Sequence, residues 1–142
     1  VIAGGGTSGV TAAVQAARLG ASVMVVEQTT WLGGMLTAAG VGAVDGNYNM
    51  PAGLWGEFRD SLAAHYGSLE ALKTGWVSNV MFEPSVGNRI FHNMVAKEKG
   101  VTLWTGSEVK AVSHNGNVWA VHVARPDGQT DTVEAKVLVD AT

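Results

Sequence analysis

The sequence predicts an α/β domain, with a parallel sheet first and a small antiparallel β-meander towards the end of the chain. Residues 1–27 have the pattern strand, helix, strand, and the apolar run Val23–Val26 is typical of a parallel strand covered on both faces. After Val101 the chain changes to short β-branched segments, separated by turn signals such as Asn115-Gly116. A chain of 142 residues that is 46% apolar is also long enough to bury the core of one domain.

The predicted elements follow one another along the chain. Val1–Ala3 is the end of a buried strand, a helix runs from Thr7 or Ser8 to Leu19, and the second strand lies within Ala21–Glu27. Helices are predicted over Leu54–Tyr66 and from Pro84 to Gly100. Five β-segments follow: Val101–Trp104, Glu108–Ser113, Val118–Ala124, Thr132–Ala135 and Val137–Val139. The predicted organisation is a βαβ unit over residues 1–27, loop and helices over 28–100, and strands with the meander over 101–139.

Composition excludes several kinds of site. The segment has no cysteine, so disulfides, thiolate catalysis and cysteine-ligated metals are excluded within it, and we predict no metal site. The net charge of −3 and the lack of a Lys/Arg cluster argue against a nucleic-acid partner. The longest uncharged stretch, Thr29–Val44, is interrupted by four glycines, which argues against a membrane span.

The most informative motif is Gly4-x-Gly6-x-x-Gly9, which follows the first strand and leads into the first helix. In the dinucleotide-binding fingerprint, the first glycine permits a tight turn, the second lets a pyrophosphate approach the backbone, and the third lets helix and strand pack closely. The N–H groups at the helix start, near Thr7 and Ser8, would face the phosphates. A P-loop would need Gly-Lys-Ser/Thr, which is absent here. The context therefore favours a Rossmann-like dinucleotide-binding βαβ unit.

An acidic residue strengthens this interpretation. Glu27 ends the second predicted strand, about twenty residues beyond the glycines, where an acid accepts hydrogen bonds from the adenosine ribose. The competing interpretation is an exposed acid at a strand end. A carboxylate at this position disfavours a 2′-phosphate, and hence NADP.

The next stretch distinguishes FAD from NAD. The run Gly33-Gly34-Met35-Leu36-Thr37, shortly after Glu27-Gln28, resembles the FAD-dependent oxidoreductases of the glutathione-reductase-like structural class, particularly those related to fumarate reductase flavoproteins. In these enzymes a Gly-Gly pair packs beside the flavin nucleotide. The resemblance implies cofactor binding by these residues: Gly4, Gly6, Thr7, Ser8, Gly9, Glu27, Gln28, Gly33, Gly34, Met35 and Thr37.

The resemblance extends to the last part of the chain. Glu108-Val109 resembles the strand whose backbone pairs with adenine. The stretch from Val137 to Thr142 resembles the strand that leads into an Ala-Thr-Gly motif near the cofactor, with Ala141-Thr142 as its first two residues and its glycine not in the segment. The redox cysteine pair of the disulfide reductases is absent, and none of the four histidines lies near the Gly-Gly loop, where covalent flavin attachment would place one. The resemblance therefore implies FAD bound noncovalently, by residues that include Val109 and Ala141.

We predict that the segment is the FAD-binding part of an oxidoreductase that transfers hydride or electrons between a small-molecule substrate and an acceptor. The alternatives are an NAD-binding dehydrogenase or thiazole-synthase-like enzyme, and a non-catalytic nucleotide-binding module or tRNA-modifying flavoprotein component. The sequence assigns no catalytic residue. Because the chain begins at Val1 without methionine, we interpret it as an interior piece of a longer protein, with a second, substrate-binding domain elsewhere. A cytoplasmic location is the default expectation.

Overall fold

The computed structural model describes residues 1–46 and 48–142 as two sheets and three longer helices. The strands are β1 (Ile2–Ala3), β2 (Val23–Val26), β3 (Val101–Trp104), β4 (Glu108–His114), β5 (Trp119–Ala124), β6 (Thr130–Ala135) and β7 (Val139–Asp140). The helices are α1 (Thr7–Arg18), α2 (Gly53–Tyr66) and α3 (Pro84–Ala96), and short 3-10 turns cover Gly34–Leu36 and Glu70–Leu72.

The first sheet is parallel throughout and has the strand order β3-β2-β1-β7. Ile2 pairs with Val25 on one side and with Val139 on the other, which makes β1 a central strand although it has only two residues. The sequence predicted strands with a meander over residues 101–139 but did not assign each strand to a sheet. In the structure, β3 and β7 return to the parallel sheet.

The second sheet contains the remaining three strands, in the antiparallel order β4-β5-β6. It packs against the parallel sheet through Val121 and Val123, which are buried with Val26. The guanidinium of Arg125 lies 3.8 Å from the centre of the Trp104 ring, so a cation–π contact joins the end of β5 to the end of β3. The predicted meander is therefore confirmed as a three-stranded unit.

The helices cover the other face of the parallel sheet. α1 turns Val10 and Val14 inward, and both are fully buried in a cluster with residues of α2 and α3. The rings of Phe58 on α2 and Phe91 on α3 are stacked at 4.5 Å between centroids. The predicted helices are confirmed, although α3 ends at Ala96, before Gly100.

An exposed ionic contact links the three helices at one corner. Arg18, in the last turn of α1, donates to both carboxylate oxygens of Glu57 on α2, at 2.6 and 2.8 Å, and to Glu98 just beyond α3 at 2.8 Å. Arg18 lowers the pKa of Glu57 through this hydrogen bond. In the described part of the chain, no helix is long and apolar enough to cross a membrane.

Candidate functional site

The glycine turn, residues Gly4–Gly9, connects β1 to α1 and shows why the three glycines of the fingerprint are present. Gly4 has φ +101°, and a Cβ there would lie 2.4 Å from the carbonyl oxygen of Ala141. A Cβ on Gly9 would lie 2.0 Å from the carbonyl oxygen of Gly4. A Cβ on Gly6, in contrast, would have only the Ala141 oxygen within 4 Å, at 3.7 Å. Gly4 and Gly9 are thus required by packing within the protein, whereas the space beside Gly6 would admit a Cβ.

The start of α1 points its free donors towards that space. Gly6 is the N-cap residue, and within the described chain no side chain caps this helix start. The first N–H groups of a helix have no partner within the helix, and they carry the positive end of its dipole. The Thr7 hydroxyl donates to the carbonyl of Gly33 at 2.9 Å, and Ser8 is exposed. The backbone is therefore arranged to receive an anion.

The Gly-Gly pair is attached directly to the glycine turn. The Gly33 N–H donates to the carbonyl of Gly5 at 2.8 Å, and Gly6 and Gly33 form an isolated parallel bridge. Gly33 has φ +106°, and a Cβ there would lie 2.5 Å from the ring of Phe91. Gly34 lies close to Gly6, since a Cβ on Gly34 would be 3.1 Å from the Gly6 Cα. The two glycine motifs thus form one continuous backbone surface.

Two residues of α3 contact the chain just before the Gly-Gly pair, and neither contact was predicted from the sequence. Asn88, on α3, accepts the N–H of Leu32 through Oδ1 at 2.9 Å. His92, one turn later, lies with Nε2 3.3 Å from the carbonyl oxygen of Thr30. Asn88 is 56 residues away from Leu32 in sequence, and no local pattern indicates the contact.

Glu27 is buried, with an exposed fraction of 9%. Its Oε2 accepts the Gly5 N–H at 2.7 Å. Its Oε1 accepts the Thr29 N–H at 2.8 Å and the Thr29 hydroxyl at 2.7 Å. The carboxylate therefore binds the glycine turn to the end of β2, which excludes the interpretation of Glu27 as an exposed strand-end acid.

Some of these residues border a cavity of about 410 Å³ at the carboxyl ends of β1 and β2, called the edge cavity below. Seven of the predicted site residues line it: Gly4, Gly6, Glu27, Gln28, Gly34, Val109 and Ala141. Residues that line it without having been predicted are Thr29, Ala38, Ala39, Ser107, Glu108 and Thr142, together with Ala3 and Val26. Val109 reaches the cavity because the chain after β3 crosses back over β2, where the Ser107 N–H donates to the Glu27 carbonyl at 3.0 Å.

The other predicted site residues lie outside the lining of the edge cavity. Gly9 and Gly33 pack against protein atoms, as described above, and Thr7 and Ser8 lie at the start of α1. Met35 is 70% exposed. Thr37 is buried, and its hydroxyl donates to the carbonyl of Leu32 at 2.6 Å, so it supports the Gly-Gly loop from inside the protein.

A larger cavity, of about 730 Å³, lies at the opposite, amino ends of the strands. Its lining includes Val1, Val23 and Val139 and is mostly apolar. Ligands of open parallel α/β sheets bind outside the carboxyl ends of the strands, where helix N-termini and loops supply polar groups. We therefore assign the candidate site to the edge cavity although it is the smaller of the two.

The comparison with protein families agrees with this site. A family model described as FAD dependent oxidoreductase matches residues 1–142. The chain belongs to the FAD-dependent oxidoreductase family.

Solved structures show the same fold at low sequence identity. A flavoprotein/dehydrogenase from Cytophaga hutchinsonii is 16% identical with a TM-score of 0.73, over 99% of this chain and 38% of its own. Bacillithiol disulfide reductase from Bacillus cereus is 16% identical with a TM-score of 0.67, over 99% and 38%. Anhydrotetracycline hydroxylase from Streptomyces rimosus is 18% identical with a TM-score of 0.67, over 98% and 30%. The chain thus spans between 30% and 38% of the length of these proteins.

The residues of the edge cavity fit FAD, the cofactor of this family. The open space at Gly6 and the uncapped start of α1 suit a pyrophosphate, which is an anion. The Glu27 carboxylate suits a ligand that donates hydrogen bonds, as ribose hydroxyls do. A volume of about 410 Å³ is within the usual range for a small-molecule site.

Proposed function

We propose that residues 1–142 hold the adenosine and pyrophosphate half of FAD, noncovalently, in a flavin-dependent oxidoreductase. The observation that carries the proposal is the convergence of three features on the edge cavity. These are the open backbone at Gly6, the buried acceptor Glu27, and the Gly-Gly loop held against the glycine turn. The backbone at Gly6 suits the pyrophosphate, and Glu27 suits the ribose of the adenosine. The features therefore match the two chemically distinct parts of an adenosine diphosphate.

Each element of the cavity has a proposed task. The amide groups at the start of α1 neutralise and orient the pyrophosphate. Because Gly6 has no Cβ, the pyrophosphate can come close to this backbone. Glu27 accepts a hydrogen bond from the ribose. The segment Ser107–Val109 borders the remaining end of the cavity, where the adenine would lie beside the start of β4. These contacts bind and orient the cofactor and do not take part in the reaction.

The reaction itself belongs to the whole protein. FAD supplies hydride or single-electron transfer at its flavin ring, and the protein supplies orientation and electrostatic tuning around it. We propose that a second domain, outside residues 1–142, binds a small-molecule substrate and completes the surroundings of the flavin ring. The coverage of 30% to 38% of the solved relatives supports this division.

The test is to purify the full-length protein and identify what it carries. We expect a yellow protein with the absorption bands of oxidised flavin, and release of one equivalent of FAD on denaturation, identified by chromatography and mass. NAD in place of FAD would contradict the proposal and favour an NAD-binding enzyme of the same fold. Flavin that stays attached to the denatured chain would contradict noncovalent binding.

A further inference from the structure

The hydrogen bonds that already reach Glu27 limit what a ribose can add. An ionised carboxylate has about four acceptor positions, two on each oxygen. In the structure, Oε1 accepts two donors, the N–H and the hydroxyl of Thr29, and Oε2 accepts one, the N–H of Gly5. One position therefore remains free, on Oε2, whereas an adenosine ribose presents two neighbouring hydroxyl groups.

Of the three donors on Glu27, only one can leave without a movement of the backbone. The N–H groups of Gly5 and Thr29 are fixed by the path of the main chain. The Thr29 hydroxyl can rotate, and its oxygen lies 2.9 Å from the carbonyl oxygen of Trp31, a second acceptor. The same hydroxyl oxygen accepts the Trp31 N–H at 3.1 Å, which keeps the side chain in place whichever way its hydrogen points.

We propose that the Thr29 hydroxyl donates to Glu27 in the place of a ribose hydroxyl. When FAD binds, a ribose hydroxyl displaces the Thr29 hydroxyl from the carboxylate. Without cofactor, the hydroxyl satisfies Oε1 of a buried carboxylate. When the ribose binds, the hydroxyl turns to the Trp31 carbonyl, and Oε1 accepts the second ribose hydroxyl. Both Glu27 and Thr29 line the edge cavity, so the exchange takes place where the ligand lies. The inference rests on the proposed function and deepens it, because it names the protein group that a ribose hydroxyl replaces on Glu27.

The proposal predicts an unusual effect of removing the hydroxyl. In Thr29→Val, the cofactor-free protein loses a hydrogen bond to a charged group, whereas the FAD complex loses only a hydrogen bond to a neutral carbonyl. Bonds to charged groups are the stronger of the two. We therefore expect Thr29→Val to bind FAD about fivefold more tightly than the parent, which corresponds to about 1 kcal/mol. Its cofactor-free form should unfold at a lower temperature than that of the parent.

The experiment is a titration of cofactor-free, full-length protein with FAD, combined with thermal unfolding of the same samples. Thr29→Ser keeps the hydroxyl and should behave as the parent does, and Thr30→Val, at the exposed neighbouring threonine, controls for the substitution itself. FMN lacks the adenosine half, so its affinity should be the same for Thr29→Val and the parent. Should Thr29→Val not fold, Thr29→Ala removes the same hydroxyl and is judged by the same criterion.

An FAD dissociation constant equal to or above that of the parent overturns the exchange, as does an unchanged unfolding temperature of the cofactor-free variant. Glu27→Gln, titrated in parallel, separates this failure from a failure of the proposed function. If Glu27→Gln binds FAD as the parent does, the ribose does not use Glu27, and both proposals lose their basis at this residue. If Glu27→Gln binds weakly and Thr29→Val does not bind more tightly, only the exchange is wrong.

Discussion

Replacing Glu27 by alanine tests whether one carboxylate both builds the site and binds the ligand. The sequence alone suggests a small effect on stability if the residue is exposed, but the structure buries it and gives it three donors. Without the carboxylate, the N–H of buried Gly5 loses its acceptor, which costs about 1–3 kcal/mol, while the hydroxyl of half-buried Thr29 can turn to the Trp31 carbonyl. We therefore expect the free energy of unfolding of the cofactor-free protein to fall by about 2 kcal/mol.

The same substitution removes the acceptor for the ribose. A hydrogen bond to a charged group contributes roughly 1.5–3 kcal/mol, and each 1.4 kcal/mol is a factor of ten. Glu27→Ala should accordingly raise the FAD dissociation constant by about one to two orders of magnitude. The reduction potential of any flavin that remains bound should change little, because Glu27 lies at the adenosine end of the proposed binding path.

The assay is urea unfolding of the cofactor-free, full-length protein, followed by titration with FAD in the same buffer. Glu134→Ala, which removes an exposed carboxylate on β6, is the matched control and should leave both quantities close to those of the parent. If Glu27→Ala unfolds at the urea concentration of the parent and binds FAD equally well, the carboxylate neither supports the glycine turn nor contacts the ribose, and the reasoning is refuted.

Three further predictions follow from the same structure. Gly6→Ala should fold as the parent does yet bind FAD at least about tenfold more weakly. Gly9→Ala should lower stability, because its Cβ would lie 2.0 Å from a carbonyl oxygen. An unfolding midpoint of Gly9→Ala equal to that of the parent would contradict this. Arg18 lowers the pKa of Glu57, so the pair stabilises the fold at pH values above the ordinary glutamate pKa near 4.5. The contribution is below about 1 kcal/mol, because the pair is exposed, and it is lost as the pH falls through the lowered pKa. Glu57→Gln should therefore flatten the acid side of a stability–pH curve, and an unaltered curve would count against it. FAD at about 100 times its dissociation constant should raise the free energy of unfolding by about 2.7 kcal/mol, and Gly6→Ala at the same FAD concentration should show a smaller rise.

Much of the candidate site could be predicted from the sequence because its parts are local. Gly4, Gly6 and Gly9 fall between a strand and a helix, and the spacing to Glu27 is set by one βαβ unit. The same unit places a helix N-terminus beside the carboxyl end of β1. Seven of the predicted residues indeed line the edge cavity.

What supports these residues could not be predicted, because it depends on contacts between distant parts of the chain. Asn88 holds the Gly-Gly loop from α3, and Phe91 packs against Gly33 at a distance that leaves no room for a side chain. No sequence pattern indicates which backbone group an asparagine on an amphipathic helix will bind. The contacts of Glu27 with Gly5 and with the chain after β3 likewise join parts that are far apart in sequence.

By itself, then, the sequence determined the βαβ unit, the glycine turn and the acid that faces it, since turn chemistry and apolar periodicity act over a few residues. Only the tertiary structure decided which of the late β-segments join the parallel sheet. Val101–Trp104 and Val139–Asp140 pair with β2 and β1, while three segments of similar composition form a separate sheet. The physical reason is that β-branched residues favour strands in parallel and antiparallel sheets alike. Which sheet a late strand joins depends on its burial against β1, β2 and α1, which lie 75 residues or more earlier in the chain.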